Sequence, residues 1–276
     1  MSAYSINVDQ EKTPVVKVQN LTVRRGQYVA VQNVSFELYP GTSTAIVGPN
    51  GSGKSTLVQA MLDLIPRAAG TVEIFGRPIA RLGNLRQQIG YMPQNFIFDR
   101  GFPISVSELV GLGWTSQRSG HKRQFFLSPS DSLALAFPWR PDSEKAEAVN
   151  QALQRVNAYH LRRQAIGTLS GGELKRVLLA YCLVVPRRLL VLDEAFAEVD
   201  MQGEAEFYNL LRSLMLEEGW TLLQVSHDLD MVSRTCDQVL CLNRSLICSG
   251  RPKFALSPQN LLITYGPAFG RYYHQH

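Results

Sequence analysis

The sequence predicts an α/β protein in which a mostly parallel sheet is joined to an antiparallel β subdomain and split by an inserted α-helical subdomain. Three observations carry this. The apolar run Thr44-Ala45-Ile46-Val47 leads into the glycine-rich stretch Gly48–Thr56 and then the amphipathic Leu57–Leu62: strand, loop, helix. From Leu189 onward, short apolar runs alternate with helical patterns, as parallel strands with covered faces require. Between about residues 95 and 175 strand patterns vanish and helices alternate with loops.

In chain order, residues 1–13 read as a flexible leader. Val15–Val18, Leu21–Val23, Val29–Val31 and Val34–Leu38 read as four short antiparallel strands separated by turn residues. After the glycine-rich loop, Pro66 and Gly70 punctuate the chain, and Gly70–Phe75 and Ile89–Tyr91 are further strands. Ser143–Val156 is a helix capped at Asp142 or Ser143, with Ala146, Val149, Leu153 and Val156 on one face. Leu189–Leu192 is a buried strand, Gly203–Glu217 a helix, Thr221–Val225 a strand, and a short helix starts near Asp228. Strands near Gln238–Leu242 and Leu246–Ser249 complete the pattern. No repeat is visible.

The 276 residues are long enough to bury a large core, and 45% hydrophobic with 18% charged residues is ordinary for a globular protein. No apolar run approaches the ~18 residues that a membrane span needs, and residues 1–13 lack a signal-peptide core. The net charge of +5 is mild and reads as a basic soluble surface rather than a nucleic-acid footprint. Cys182, Cys236, Cys241 and Cys248 include no C-x-x-C pair, which argues against structural zinc; three of them sit in apolar stretches, as buried reduced cysteines do.

The chemistry centres on Gly48-Pro49-Asn50-Gly51-Ser52-Gly53-Lys54-Ser55-Thr56. Its glycines let successive N–H groups point at one anion, and the helix that follows aims its positive end at the same spot. Lys54 then reaches the outer phosphates of a nucleoside triphosphate, and the Ser55 hydroxyl sits on Mg²⁺. Asp193 and Glu194 end a buried strand, where a parallel sheet places ligand-binding residues. Asp193 can hold the Mg²⁺ water shell and Glu194 can deprotonate an attacking water. Leu169-Ser170-Gly171-Gly172-Glu173 opens a helix and makes a second anion-binding end. One nucleotide hardly needs two such ends in one chain, so each copy offers this one to a nucleotide held by another.

On these residues the sequence resembles the ATP-binding subunits of ATP-binding cassette (ABC) transporters over residues 14–250. The motifs fall in the family's order: a Walker A loop at Gly48–Thr56, a Q-loop glutamine at Gln94 in Tyr91-Met92-Pro93-Gln94, the signature Leu169–Glu173, and Walker B acids Asp193 and Glu194. A D-loop ending in Asp200 and a switch histidine, His227, follow. The resemblance implies a P-loop NTPase (RecA-like) core at 14–94 and 176–250, a helical subdomain at 95–175 and a C-terminal extension at 251–276. It also implies a head-to-tail homodimer sandwiching two MgATP. Two transmembrane permease subunits and, indirectly, an extracytoplasmic metal-binding protein would be its partners, with the chain peripheral on the cytoplasmic face of the inner membrane and no nucleic acid bound. Lys54, Gln94, Glu194 and His227 are the expected catalytic residues. Gly48–Thr56, Ser170, Gly171 and Gly172 would bind nucleotide, and Ser55, Gln94 and Asp193 the Mg²⁺.

Two departures stand out. The position of the family's adenine-stacking aromatic falls on Arg25, with Tyr28 nearby, and the usual proline after the Walker B glutamate is Ala195. Phe102–Val106, Val239–Asn243 with Ile247–Gly250, and the histidine-bearing tail through His276 are similar to metal-importer ATPases, zinc above manganese or iron. Thr115–Pro141, with Arg118, His121, Lys122 and Arg123, has no assigned counterpart; it reads as a solvated loop or a partner contact. The rival readings are a soluble cassette ATPase unconnected to transport and a nucleotide-binding module without turnover.

Overall fold

The computed structural model describes residues 13–94, 96, 98, 99, 101–114, 143–194 and 201–267; of residues 201–205 only the backbone is described. The chain runs β1 (Val16–Arg25), β2 (Tyr28–Leu38), β3 (Ser43–Val47), α1 (Lys54–Met61), β4 (Ala69–Ile74), β5 (Arg77–Pro78), β6 (Ile89–Met92) and α2 (Val106–Leu112). It continues with α3 (Ser143–Arg155), α4 (Gly171–Leu183), β7 (Leu189–Asp193), α5 (Met201–Glu218), β8 (Thr221–Val225), α6 (Leu229–Thr235), β9 (Gln238–Asn243), β10 (Ser245–Gly250), α7 (Pro252–Ala255) and α8 (Pro258–Tyr265).

Two sheets form. One is antiparallel, ordered β2-β1-β4-β5; the other has six strands, ordered β10-β9-β3-β8-β7-β6, parallel except for the β9–β10 hairpin. The four short strands expected between residues 15 and 38 are a correction: they merge into β1 and β2. The turn-like asparagines Asn20 and Asn33 both take positive φ, at 51° and 50°, and β1 pairs with β2 through register shifts at Val18/Leu21, Leu21/Val23 and Val23/Arg24. They are irregularities within continuous strands rather than turns between strands. Asn20 Oδ1 accepts from Ser35 Oγ, and its N–H donates to the same hydroxyl, which stitches the two strands across the irregularity.

β7 and β8 are buried along their whole length because both faces of the large sheet are covered. Their period-two alternation divides the core. Leu190, Leu192 and Leu222 face the helical side with Leu109, Leu153, Val177 and Trp220. Leu189, Val191, Leu223 and Val225 face α1 and the antiparallel sheet with Ile46, Leu57 and Met61. Each such leucine contributes roughly 1.5–3 kcal/mol through burial. Sequence patterning left α2, α7 and α8 unassigned; all are short. α2 is fixed by a capping box in which Ser105 Oγ accepts from the Glu108 N–H and Glu108 Oε2 accepts from the Ser105 N–H.

The expectation of reduced cysteines is corrected at one pair. Cys241 and Cys248 are register partners across β9–β10, with Cα atoms 5.0 Å apart, and they form a disulfide. Cys182 and Cys236 are free and buried. Among the described residues no helix is long and apolar enough to cross a membrane.

Candidate functional site

The glycine-rich loop leaves the carboxyl end of β3, the centre of the large sheet, and turns into α1. Two of its glycines are required by close approach. A Cβ on Gly48, at φ +154°, would lie 2.0 Å from the Leu242 carbonyl oxygen; one on Gly53, at φ +97°, would lie 2.4 Å from the Ala30 carbonyl oxygen. Gly53 caps α1 without a side-chain hydrogen bond, and no acidic residue occupies the helix's first turn. The first N–H groups of α1 are therefore left for an external anion.

Lys54 is buried, and its ammonium donates to the Gly48 carbonyl at 2.9 Å and the Pro49 carbonyl at 3.2 Å, with Glu194 Oε1 at 3.7 Å. Burial lowers its pKa, opposed by Glu194 and Asp193. The loop's own carbonyls and Glu194 thus take the ammonium charge. Ser55 Oγ donates to Asp193 Oδ1 at 2.9 Å, joining the start of α1 to the end of β7. Asp193 is 1% exposed, and burial pushes its carboxyl up to about 6 against the pull of the Ser55 hydroxyl. Glu194 follows with φ +47°, outside the strand's conformation; its N–H donates to the Val225 carbonyl. Its Oε2 accepts from Gln94 Nε2 at 2.5 Å. Lys54, Ser55, Gln94, Asp193 and Glu194, spread over 141 positions of sequence, thus meet in one place.

A hard divalent cation fits this donor set. The Ser55 hydroxyl and Asp193 carboxylate form an oxygen pair facing each other at the mouth of the phosphate loop, with Glu194 and the Gln94 amide beside them.

His227 follows β8, whose neighbour in the sheet is β3; the Ser226 N–H donates to the Ile46 carbonyl, and His227 is exposed beside the loop's root. Ser170 caps α4 in a capping box with Glu173, whose carboxylate accepts from both the Ser170 N–H (2.8 Å) and hydroxyl (2.7 Å). These bonds hold Glu173 below the usual carboxylate range. Ser170 and Gly171 are exposed, and the hydrogen bonds of Ser170 among the described residues stay within its own helix start. Among the described residues the polar partners of Lys54 are the Gly48 and Pro49 carbonyls and Glu194, and none belongs to this helix end. Arg25 donates to Gln59 Oε1 at 3.1 Å and so points along α1, whereas Tyr28 is 45% exposed near the loop. Ala195, Asp200, Thr115–Pro141 and the tail histidines lie outside the described residues.

Sequence reasoning passed over Tyr91 as a site residue. Its side chain lies close to Asp193 and Gln59, and burial with the Asp193 charge raises its pKa far above the ordinary tyrosine value. The parallel pairing of β6 with β7, Tyr91 opposite Val191, carries it there. The only signal in the sequence was its place three residues before Gln94.

A mostly parallel sheet whose central strand β3 feeds a phosphate loop, with two acids at the carboxyl end of β7, one strand removed from it, defines a phosphate-loop nucleotide-binding protein. A model of the ABC transporter family matches residues 31–197. The chain is 37% identical over 258 residues to the zinc import ATP-binding protein ZnuC 1 of Hahella chejuensis, covering 94% of this chain and 86% of that protein. It is 34% identical over 275 residues to the zinc import ATP-binding protein ZnuC of Pasteurella multocida, covering 98% and 90%. A solved nucleotide-free ATP-binding cassette from an ABC transporter superposes with a TM-score of 0.77 at 26% identity, covering 92% of this chain and all of that one. The chain belongs to the ABC transporter family, and it is an ATP-binding ATPase.

Proposed function

We propose that the chain is the ATP-hydrolysing subunit of an importer that takes up a divalent metal ion, zinc, through two separate permease subunits on whose cytoplasmic side it sits. The observation that carries this is the convergence of Lys54, Ser55, Asp193, Glu194 and Gln94 at the phosphate loop of a chain whose relatives are named for zinc import.

In this reading Gly48–Thr56 wraps the phosphates of ATP, and Lys54 exchanges the carbonyls of Gly48 and Pro49 for the β- and γ-phosphates. Tyr28 rather than Arg25 stacks on adenine. Ser55, Asp193 and Gln94 would hold Mg²⁺, which would supply charge neutralisation on the transferring phosphoryl group. Glu194, released from Lys54 once that ammonium turns to phosphate, takes a proton from the water that attacks the γ-phosphorus as the bond to ADP breaks. Such a base is worth about 10²–10⁴-fold in rate. Gln94 orients the Glu194 carboxylate, and His227 hydrogen-bonds the γ-phosphate. Ser170, Gly171 and Gly172 of a second copy close over that phosphate, so hydrolysis requires a head-to-tail homodimer. Residues 14–250 form the ATPase unit, with 251–276 an extension.

The test is complementation. In a bacterium lacking its own zinc-import ATPase but keeping the permease and binding protein, this chain restores growth under zinc chelation, and the Glu194→Gln variant does not. Rescue of manganese- or iron-limited cells alone would move the cargo to that metal. ATP hydrolysis without rescue in any of them would favour a cassette unconnected to transport.

A further inference from the structure

The turn of the β9–β10 hairpin does more than reverse the chain. Its residue Arg244 has φ +62°, and its main chain bonds in two directions: its N–H donates to the Ser52 carbonyl of the phosphate loop at 2.8 Å, and its carbonyl accepts from the Gln32 N–H of β2 at 2.7 Å. Two residues earlier, the Leu242 carbonyl occupies the space where a Gly48 side chain would stand. The preceding Asn243 donates from Nδ2 to the Thr264 carbonyl of α8 at 3.0 Å, so the hairpin tip is held from behind. Across the loop, β2 carries an extra residue opposite Val23 and Arg24, which pair with Val31 and Val29; the residue between them, Ala30, turns its carbonyl to Gly53. The hairpin tip and the start of β2 therefore grip the phosphate loop at Ser52 and at Gly53. Between these grips the Arg244 guanidinium lies over the Tyr28 ring, its central carbon 4.8 Å from the ring centroid.

We propose that Arg244 is a positioning residue for nucleotide selection: it clamps one face of Tyr28 so that the other is presented, already ordered, to the purine of ATP. The inference rests on the reading that Tyr28 stacks on adenine. A side chain 45% exposed on a strand start otherwise loses rotamer freedom when a base stacks on it. Ordering it beforehand raises affinity for the base without touching the phosphates. Guanidinium suits the task, since it stays charged and presents a plane to the ring, which an ammonium does not.

The experiment uses the full chain with Glu194→Gln to prevent turnover, and measures the Kd of ATP and of inorganic tripolyphosphate, each with Mg²⁺, by calorimetry. Arg244→Asn removes the guanidinium while suiting the positive φ. It should weaken ATP about 3- to 10-fold, the range of a cation–π contact, and leave tripolyphosphate unchanged. Arg244→Lys should behave like Arg244→Asn, and in a Tyr28→Ala background Arg244→Asn should have no further effect. Equal weakening of ATP and tripolyphosphate, recovery by lysine, or losses that multiply with Tyr28→Ala would each overturn the proposal, as would an unchanged ATP Kd. Failure of the parent protein to bind ATP, or full ATP affinity in Tyr28→Ala alone, would instead overturn the underlying site reading.

Discussion

Asp193 offers a measurement in which stability and function oppose each other. Burial raises its carboxyl to about 6 from the ordinary 3.8, so between those values the folded chain holds a proton that the unfolded chain has released. Stability therefore falls as pH rises through this window: it is full below about pH 4 and diminished above about pH 6. At 1.36 kcal/mol for each tenfold step in proton affinity, ionising Asp193 in the empty protein costs about 3 kcal/mol. Asp193→Asn keeps the shape and can still accept from Ser55 Oγ, but escapes that cost. Lys54 loses one of its two balancing carboxylates, which offsets part of the gain. The variant, free of metal and nucleotide, should thus be more stable than the parent by about 1–3 kcal/mol at pH 8 and equal to it near pH 4. Urea titrations in chelator at the two pH values measure it. Saturating MgATP should reverse the order, because a ligand at about 1,000 times its Kd stabilises the parent by about 4.1 kcal/mol and the variant scarcely at all. A variant less stable than the parent at pH 8, or a difference indifferent to pH, would refute the account.

Three further predictions follow from the same contacts. Gly53→Ala brings a Cβ to 2.4 Å from the Ala30 carbonyl oxygen at φ +97°; it should cost about 2–4 kcal/mol by denaturant titration and remove ATP binding measured by calorimetry. Glu194→Gln should retain ATP binding and lower the hydrolysis rate by about 10²–10⁴-fold, and size-exclusion chromatography with MgATP should find it as a dimer. Ser170→Ala deletes the hydroxyl that accepts the Glu173 N–H. It should cost about 1 kcal/mol of stability, as lost helix caps do, and also depress steady-state ATPase activity beyond what a cap alone explains.

What the sequence disclosed and what it withheld divide along a physical line. Lys54, Ser55 and the loop glycines are legible because their chemistry is local: a turn, a helix start and a cation within nine residues. β7 and β8 are legible because burial on both faces leaves unbroken apolar runs. β1 and β2 misled because a bulge asparagine and a turn asparagine look alike until the partner strand is known. Cys241 and Cys248 likewise seemed two separate apolar cysteines until hairpin register set them side by side. The residues most hidden are those that act on the loop from elsewhere in the chain: Ala30 on Gly53, Leu242 on Gly48, Arg244 on Ser52. Two of these three contacts are made by peptide carbonyls and the third by a peptide N–H, groups every residue except proline carries in full, so no side-chain pattern could announce them. The glycines announce them indirectly. A loop that must admit a carbonyl within 2.4 Å of where a Cβ would sit tolerates no side chain there, and the phosphate cradle is therefore shaped as much by the strands pressing on its outer side as by the anion its amides face.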